Sequence, residues 1–234
     1  MTAAEAARNA ARLAFVAGAL AVARSVASPP AGTAGGLWSK SLAAYNRVEN
    51  KEALGAVQEL LAREPDNPLY RRHEAAVLFA LGDFAASAAS AERFVRTAPE
   101  PAKACPLIAN AYRRLGDGPR YLDALRRCAA FDPRNVDSAF NLAQGLEETG
   151  NLRAAADLFG RMAAGGFVGA AISLGRVRLK QGAPAHADQI ARAVLAREPA
   201  NPAAHILAAQ AAAALGDAPR AREHLRRARA LGAP

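Results

Sequence analysis

A fixed interval of about 34 residues, repeated in two kinds of residue, constrains the fold of this chain more than any other feature. The prolines that end successive repeats and the glycines that interrupt them both recur at this interval: Pro65, Pro99 and Pro133, and Gly82, Gly116 and Gly150. Two prolines enclose two apolar-periodic runs of helical length, separated by a glycine. Because proline and glycine both end helices, each repeat predicts one helical hairpin. A fixed period of this size predicts a stacked array of hairpins.

Six hairpins can be placed from these breaks, and they fill nearly all of the chain after residue 36. The interval from Gly150 to Gly182 is slightly shorter than the others, because a glycine pair replaces the loop proline there. We expect a leader and linker at 1–36, a repeat array at 37–231 and a tail at 232–234. The expected helices cover about 39–48 and 51–63, 68–81 and 84–97, 102–115 and 119–131, two within 136–164, 168–181 and 184–197, and 202–215 and 219–231.

Small residues recur at the two positions where the helices of a hairpin would cross. The eighth position of each repeat holds Ser41, Ala75, Ala109, Ala143, Gly175 and Ala209, and the twentieth holds Ala53, Ser87, Tyr121, Ala155, Ala187 and Ala221. Only Tyr121 departs from the rule. With glycine at the turn and proline at the end, this pattern resembles the tetratricopeptide repeat family. The resemblance implies an all-α fold, a right-handed α-solenoid of about six tetratricopeptide-type hairpins, and it specifies fold more than function.

In that family the first helix of each hairpin lines a concave groove that binds the partner. The resemblance therefore implies a partner-binding groove of aromatic, amide and cationic side chains: Trp38, Tyr45, Arg72, His73, Phe79, Asn110, Arg113, Arg114, Phe140, Asn141, Gln144, Arg176 and Lys180. Such a surface suits a protein or peptide partner, since amides bind a peptide backbone, rings contact apolar groups and arginines bind carboxylates.

One subset of the family grips a C-terminal carboxylate with two asparagines and several cations on successive repeats. Asn110 and Asn141 have the separation in sequence that such a pair would have. The accompanying cations are missing, because Pro106, Gly169 and Ser173 occupy their places. We therefore interpret the two asparagines as general groove contacts.

Residues 1–27 differ in composition from the repeats. An apolar run at 13–23 follows a basic flank, and small residues at Ala23 and Ala27 fit a cleavage site. These features are typical of an export signal and predict a periplasmic or exported protein. Glu5 and Arg24 are unusual in such a signal. A packed or membrane-surface helix in a cytoplasmic protein is the alternative, and the membrane would then be contacted only through this segment.

The chain is strongly basic, with a net charge of +9 and a pI near 10.3. Clustered lysine and arginine bind phosphates, so a nucleic-acid-binding solenoid is one interpretation. The arginines are instead spread over nearly every predicted helix. Nucleic acid is therefore the less favoured partner.

Residue patterns typical of catalysis or metal binding do not occur in this sequence. The four histidines, His73, His186, His205 and His224, are scattered, and none has a second ligand at metal-binding spacing. A phosphate-binding loop and a Gly-x-Ser-x-Gly elbow are missing as well. We expect no enzyme activity, no metal and no cofactor.

The two cysteines, Cys105 and Cys128, fall near the start of one predicted helix and the end of its antiparallel partner. They would form a disulfide across one hairpin in an oxidising compartment, or serve as two small buried side chains.

These patterns favour a non-enzymatic scaffold or assembly factor that binds a peptide or protein partner. The alternative from another class is an accessory subunit of an envelope polysaccharide or lipid machinery. In that case Trp38, Tyr45 and Phe79 would provide the aromatic platform for the sugar.

Overall fold

The computed structural model describes residues 33–233 and contains twelve α-helices and no strand in that range. The helices are α1 (Thr33–Asn46), α2 (Asn50–Arg63), α3 (Pro68–Leu81), α4 (Phe84–Thr97), α5 (Cys105–Leu115), α6 (Gly118–Phe131), α7 (Val136–Glu148), α8 (Leu152–Ala164), α9 (Val168–Lys180), α10 (Pro184–Arg197), α11 (Pro202–Ala214) and α12 (Ala218–Ala230). A short 3-10 turn at Pro101–Ala104 precedes α5. The all-α architecture predicted from the spacing is confirmed.

The ends of the helices follow from local chemistry. Gly82 ends α3 with a φ of 85°, a left-handed conformation that glycine adopts without strain. Asp83 then caps α4, because its side chain accepts a hydrogen bond from the backbone N–H of Ala86. Asn67 caps α3 in the same way, and Pro68 follows at the first helical position, where the missing N–H is not needed. The turn between α3 and α4 therefore specifies both where the first helix stops and where the second begins.

The chain divides into two compact units. Unit 1 ends at Ala124 and unit 2 begins at Leu125, inside α6. The odd-numbered helices from α1 to α11 are the first helices of their hairpins, and the even-numbered helices are the second. Helices α1 to α5 belong to unit 1, and α7 to α12 belong to unit 2.

In unit 1 the two helices of a hairpin approach closely at small residues. Ser41 and Ala53 are fully buried where α1 crosses α2, and the Ser41 hydroxyl donates a 2.7 Å hydrogen bond to the carbonyl of Ala53. At the crossing of α3 and α4, the Ser87 hydroxyl donates a 2.7 Å bond to the carbonyl of Ala75. The small residues predicted at both crossings are thus where the backbones meet.

Unit 2 has an alanine-rich core between its second and first helices. Ala187 and Ala191 of α10 pack against Leu207 and Ala208 of α11, with little or no exposed surface. Leu207 also fills the space above Gly175 of α9, where any side chain would overlap it. Neighbouring first helices are therefore held together at a glycine.

The first helix begins earlier than the sequence predicts. α1 starts at Thr33, so the segment 33–36 that we assigned to a linker is helical. Ala34 and Leu37 pack against a buried cluster that includes Trp38 and Tyr70. Tertiary packing here outweighs the low helix propensity of two glycines.

The predicted export signal lies outside the described residues and stays a prediction. Between residues 33 and 233, every helix is too short or too polar to cross a membrane.

Candidate functional site

The first helices of unit 1 lie side by side and share an aromatic cluster. The ring of Trp38 on α1 lies 5.4 Å from that of Tyr70 and 5.0 Å from that of His73, both on α3. Tyr45 packs edge-on against the other side of His73, with ring centroids 5.4 Å apart. This cluster joins α1 to α3.

Two of the predicted groove residues belong to the core of this cluster. Trp38 is 2% exposed and His73 is 8% exposed, so neither presents much surface to a partner. The Nε2 atom of His73 lies 3.0 Å from the hydroxyl of Ser41. Burial lowers the pKa of His73 from 6.5 to about 4, although the hydrogen bond with Ser41 acts to raise it. His73 is therefore a neutral, packed side chain at neutral pH.

A second group of predicted residues joins α3 to α5 and remains accessible. Phe79 of α3 is half-buried and packs edge-on against Phe84, with ring centroids 5.1 Å apart. The guanidinium of Arg114, on α5, lies 4.5 Å above the same Phe84 ring. This cation–π contact restrains the Arg114 side chain, which is nevertheless exposed.

The first-helix surface of unit 1 is the name we give to the accessible side chains of α1, α3 and α5: Tyr45, Arg72, Phe79, Asn110, Arg113 and Arg114. Tyr45, Arg72 and Asn110 are half-buried, and Arg113 and Arg114 are exposed. Among the described residues, Arg72, Asn110 and Arg114 form neither a hydrogen bond nor an ion pair. The predicted mixture of ring, amide and cation is thus present on one surface.

In unit 2 the predicted aromatic residue is an internal packing element. Phe140 of α7 is half-buried, and its ring is edge-on to Phe159 at 5.4 Å and to Phe167 at 5.6 Å. Asn141 is exposed and Gln144 is half-buried on the same helix. These two amides remain accessible in unit 2.

The two predicted cations of α9 are engaged by a carboxylate that sequence reasoning missed. Glu147 of α7 is 6% exposed and accepts hydrogen bonds from Arg176 Nε at 2.8 Å and from an Arg176 terminal nitrogen at 2.7 Å. Lys180 Nζ lies 2.7 Å from Glu147 Oε1. Burial raises the pKa of Glu147, but Arg176 and Lys180 outweigh it and leave the pKa below 4.5. One negative charge therefore offsets part of the positive charge predicted for this helix.

Two of the histidines described as scattered are in fact neighbours. The Nδ1 atoms of His205 on α11 and His224 on α12 are 3.0 Å apart, and His205 Nε2 is 3.0 Å from the carbonyl oxygen of Pro199. Because a carbonyl only accepts, His205 donates from Nε2, and His224 donates to its Nδ1. Burial, reinforced by His205, lowers the pKa of His224. The sequence places the two histidines on the two helices of one predicted hairpin, and this placement could have indicated that they are close together.

The cysteines and the remaining titratable groups suggest no chemistry. Cys105 and Cys128 are both buried, in α5 and α6, and the disulfide between them stays a prediction. Among residues 33–233, there is no cluster of three His, Cys, Asp or Glu side chains that could hold a metal ion.

Solved structures share this arrangement of helices. A tetratricopeptide repeat protein from Parabacteroides merdae superimposes with a TM-score of 0.68 at 15% identity, covering 85% of this chain and 79% of its own. PilW, a type IV pilus biogenesis factor, gives 0.59 at 18% identity, covering 83% and 91%. YrrB, described as having an unusual peptide-binding site, gives 0.55 at 16% identity, covering 76% and 92%.

Sequence comparison gives no further guide to function, because neither a protein-family model nor a curated protein matches the chain significantly. The structural similarities, all at low identity, establish the fold alone. The described part of the chain has the fold of tetratricopeptide repeat proteins.

Proposed function

We propose that this chain, which has the fold of tetratricopeptide repeat proteins, is a non-enzymatic scaffold that binds a peptide or protein segment along its first helices. The observation that carries the proposal is the first-helix surface of unit 1. Arg114 lies there against the Phe84 ring, which packs on Phe79, and the side chains of Arg72, Asn110 and Arg114 form no hydrogen bond or ion pair to other described residues. Amides, guanidinia and rings are the groups that hold peptide segments.

The fold supports the same proposal. YrrB, which shares it, has a peptide-binding site, and PilW is a biogenesis factor of a pilus. An accessory role in polysaccharide handling is less well supported, because Trp38, the largest ring of the expected sugar platform, is buried.

Site-specific photo-cross-linking in the native cell tests the proposal. A benzophenone amino acid replaces Ala80, which is exposed on α3 one turn beyond Ala76 and on the same helical stripe as Arg72. The matched control replaces Ala89, which is exposed on the second helix α4. We expect a protein adduct of discrete mass from position 80 and none from position 89. Equal adducts from both positions, or an adduct from position 89 alone, would contradict the proposal.

We further propose, from the leader sequence alone, that the protein is exported and that its partner is an envelope protein. The mass of the N-terminus isolated from native cells tests this. A start after Ala23 or Ala27 supports export, whereas an intact Met1 contradicts it and directs the search to cytoplasmic partners.

A further inference from the structure

We propose that the first-helix surface of unit 1 is specific for an acidic peptide segment. This inference rests on the proposed function and names the chemistry of the partner. It follows from the distribution of charge between first and second helices, from the pairing of each cation, and from the geometry of Arg114.

Among the first helices of the hairpins, the net positive charge lies in unit 1. Helices α1, α3 and α5 carry five cations and one acid: Lys40, Arg71, Arg72, Arg113 and Arg114 against Glu74. The first helices of unit 2 carry three acids and three cations: Asp137, Glu147 and Glu148 against Arg176, Arg178 and Lys180. The first helices therefore bear a net charge of +4 in unit 1 and zero in unit 2.

The second helices of unit 1 do not share this excess. Helix α2 has two cations and two acids, and α4 has two cations and one acid. Within α1 to α5, the excess positive charge therefore lies mainly on the first helices, which also carry the aromatic and amide groups.

Internal ion pairs account for only part of this charge. Arg71 lies 3.1 Å from the nearly buried carboxylate of Glu74, and Lys40 lies 3.5 Å from Glu52 of α2. Arg113 also has an interaction partner. Arg72 and Arg114 have no carboxylate within ion-pair distance among the described residues.

The environments of these two arginines suit a carboxylate from a partner. The guanidinium carbon of Arg114 lies 4.5 Å from the centroid of the Phe84 ring, and the side chain is exposed, so its N–H groups are available for paired hydrogen bonds with a carboxylate. Arg72 is half-buried, and burial lowers its pKa while the charge of Glu100 opposes the shift. A bound carboxylate would compensate for this burial. Asn110, one turn before Arg114, offers an amide to the peptide backbone.

A short acidic peptide fits these groups better than a nucleic acid does. Nucleic-acid binding depends on cations that neutralise many successive phosphates. Here two guanidinia without an ion-paired carboxylate share a surface with an amide and half-buried rings, which matches alternating carboxylate and apolar side chains.

Peptide display provides the test. The probe is a random library of short linear peptides, selected against the immobilised full-length chain. We expect the enriched peptides to contain more Asp and Glu, relative to Lys and Arg, than the unselected library. Neutral or basic enriched peptides, or no enrichment over the bare support, would overturn the inference.

Two double variants locate the site. Arg72→Gln with Arg114→Gln should weaken binding of a selected acidic peptide about tenfold or more, since each loses charge-assisted hydrogen bonds. Arg93→Gln with Arg96→Gln removes the same charge from exposed positions on α4 and should leave affinity nearly unchanged. Circular dichroism and thermal unfolding verify that both variants remain folded. An equal loss in the two variants would overturn the inference.

The outcomes also separate this inference from the proposed function. Neutral peptides whose binding is abolished by Phe79→Ala and Asn110→Ala would contradict acidic specificity and leave the scaffold proposal intact. If a single-stranded DNA oligonucleotide binds more tightly than any selected peptide, and loses affinity in the Arg72 and Arg114 variant, both proposals fail.

Discussion

Arg176 grips Glu147 with two hydrogen bonds, 2.8 Å from Nε and 2.7 Å from a terminal nitrogen, across two neighbouring first helices. The carboxylate is buried, whereas the side chains of Arg176 and Lys180 are nearly half exposed. A negative charge at this point therefore serves to orient two cations that solvent can still reach. Removing the Glu147 carboxylate should change the stability of the protein by an amount that depends on pH.

Glu147→Gln should destabilise the protein by about 1 kcal/mol at pH 7, because the hydrogen bonds to charged partners are weakened. The folded-state pKa of Glu147 is lowered, so its carboxylate stabilises the fold above the unfolded pKa near 4.5, and this contribution is lost as the pH falls through the folded pKa. The difference between variant and wild type should therefore shrink below about pH 4.5. Urea denaturation at several pH values measures it, and a constant difference would contradict the prediction.

The burial of His73 also predicts a pH dependence. Because its pKa is lowered to about 4, the unfolded chain binds a proton that the folded chain does not between pH 6.5 and 4. Stability should fall across this range as the pH decreases, by up to about 3 kcal/mol from this one group. A titration of the His73 ring by NMR checks the cause. A midpoint near 6.5 would show that the ring is solvated in the folded protein.

Ala75→Leu should destabilise the protein by about 1–3 kcal/mol, because Ala75 is fully buried where α3 crosses α4 and a larger side chain overpacks the crossing. Ala89→Leu is the control, since Ala89 is exposed on α4 and should change stability by less than about 0.5 kcal/mol. Urea denaturation compares them. A neutral Ala75→Leu would show that the crossing lies elsewhere.

Ser87→Ala should cost about 1 kcal/mol, because it removes the hydrogen bond to the Ala75 carbonyl while filling nearly the same volume. The effect of Ser87→Ala should vanish in protein that already carries Ala75→Leu, where the crossing is displaced. Additive effects in this double-mutant cycle would mean that the two residues do not interact.

Gly175→Ala should destabilise the wild-type protein by about 1 kcal/mol, because the new methyl group would overlap the Leu207 side chain. The energetic cost of this overlap should exceed the gain in helix propensity from alanine. In a Leu207→Ala background the same substitution should be stabilising, because the space above position 175 is then open. Thermal unfolding of the four proteins measures the coupling. The same sign in both backgrounds would refute the close approach.

The glycines and prolines between helices were enough to predict most of the helices. Glycine and proline act on their own neighbours, so positions such as Gly82 and Pro68 specify where a helix ends or begins whatever it packs against. The start of α1 was wrong because its glycines become helical only through the packing of Leu37 and Trp38, which local propensity does not contain.

The candidate site was harder to predict, because the repeat register gives the direction of a side chain without its neighbours. Trp38 and His73 occupy groove positions in the register, yet both are large enough to fill the gap between α1 and α3 and are buried there. Glu147 was overlooked because both of its partners, Arg176 and Lys180, lie on the first helix of the next hairpin, about 30 residues away in sequence. The proximity of His205 to His224 was likewise missed, because it arises only when the two helices of the hairpin pack together.

The serine hydrogen bonds have a consequence for the interchangeability of the repeats. In the first hairpin the donor is Ser41 on the first helix, and in the second it is Ser87 on the second helix. A chimeric hairpin of α1 with α4 would bring two hydroxyls to one crossing, and one of α3 with α2 would bring none. The two hairpins have the same fold, but the serine and the carbonyl that it bonds lie on opposite helices in the two cases. Each helix therefore keeps this hydrogen bond only with its native partner helix.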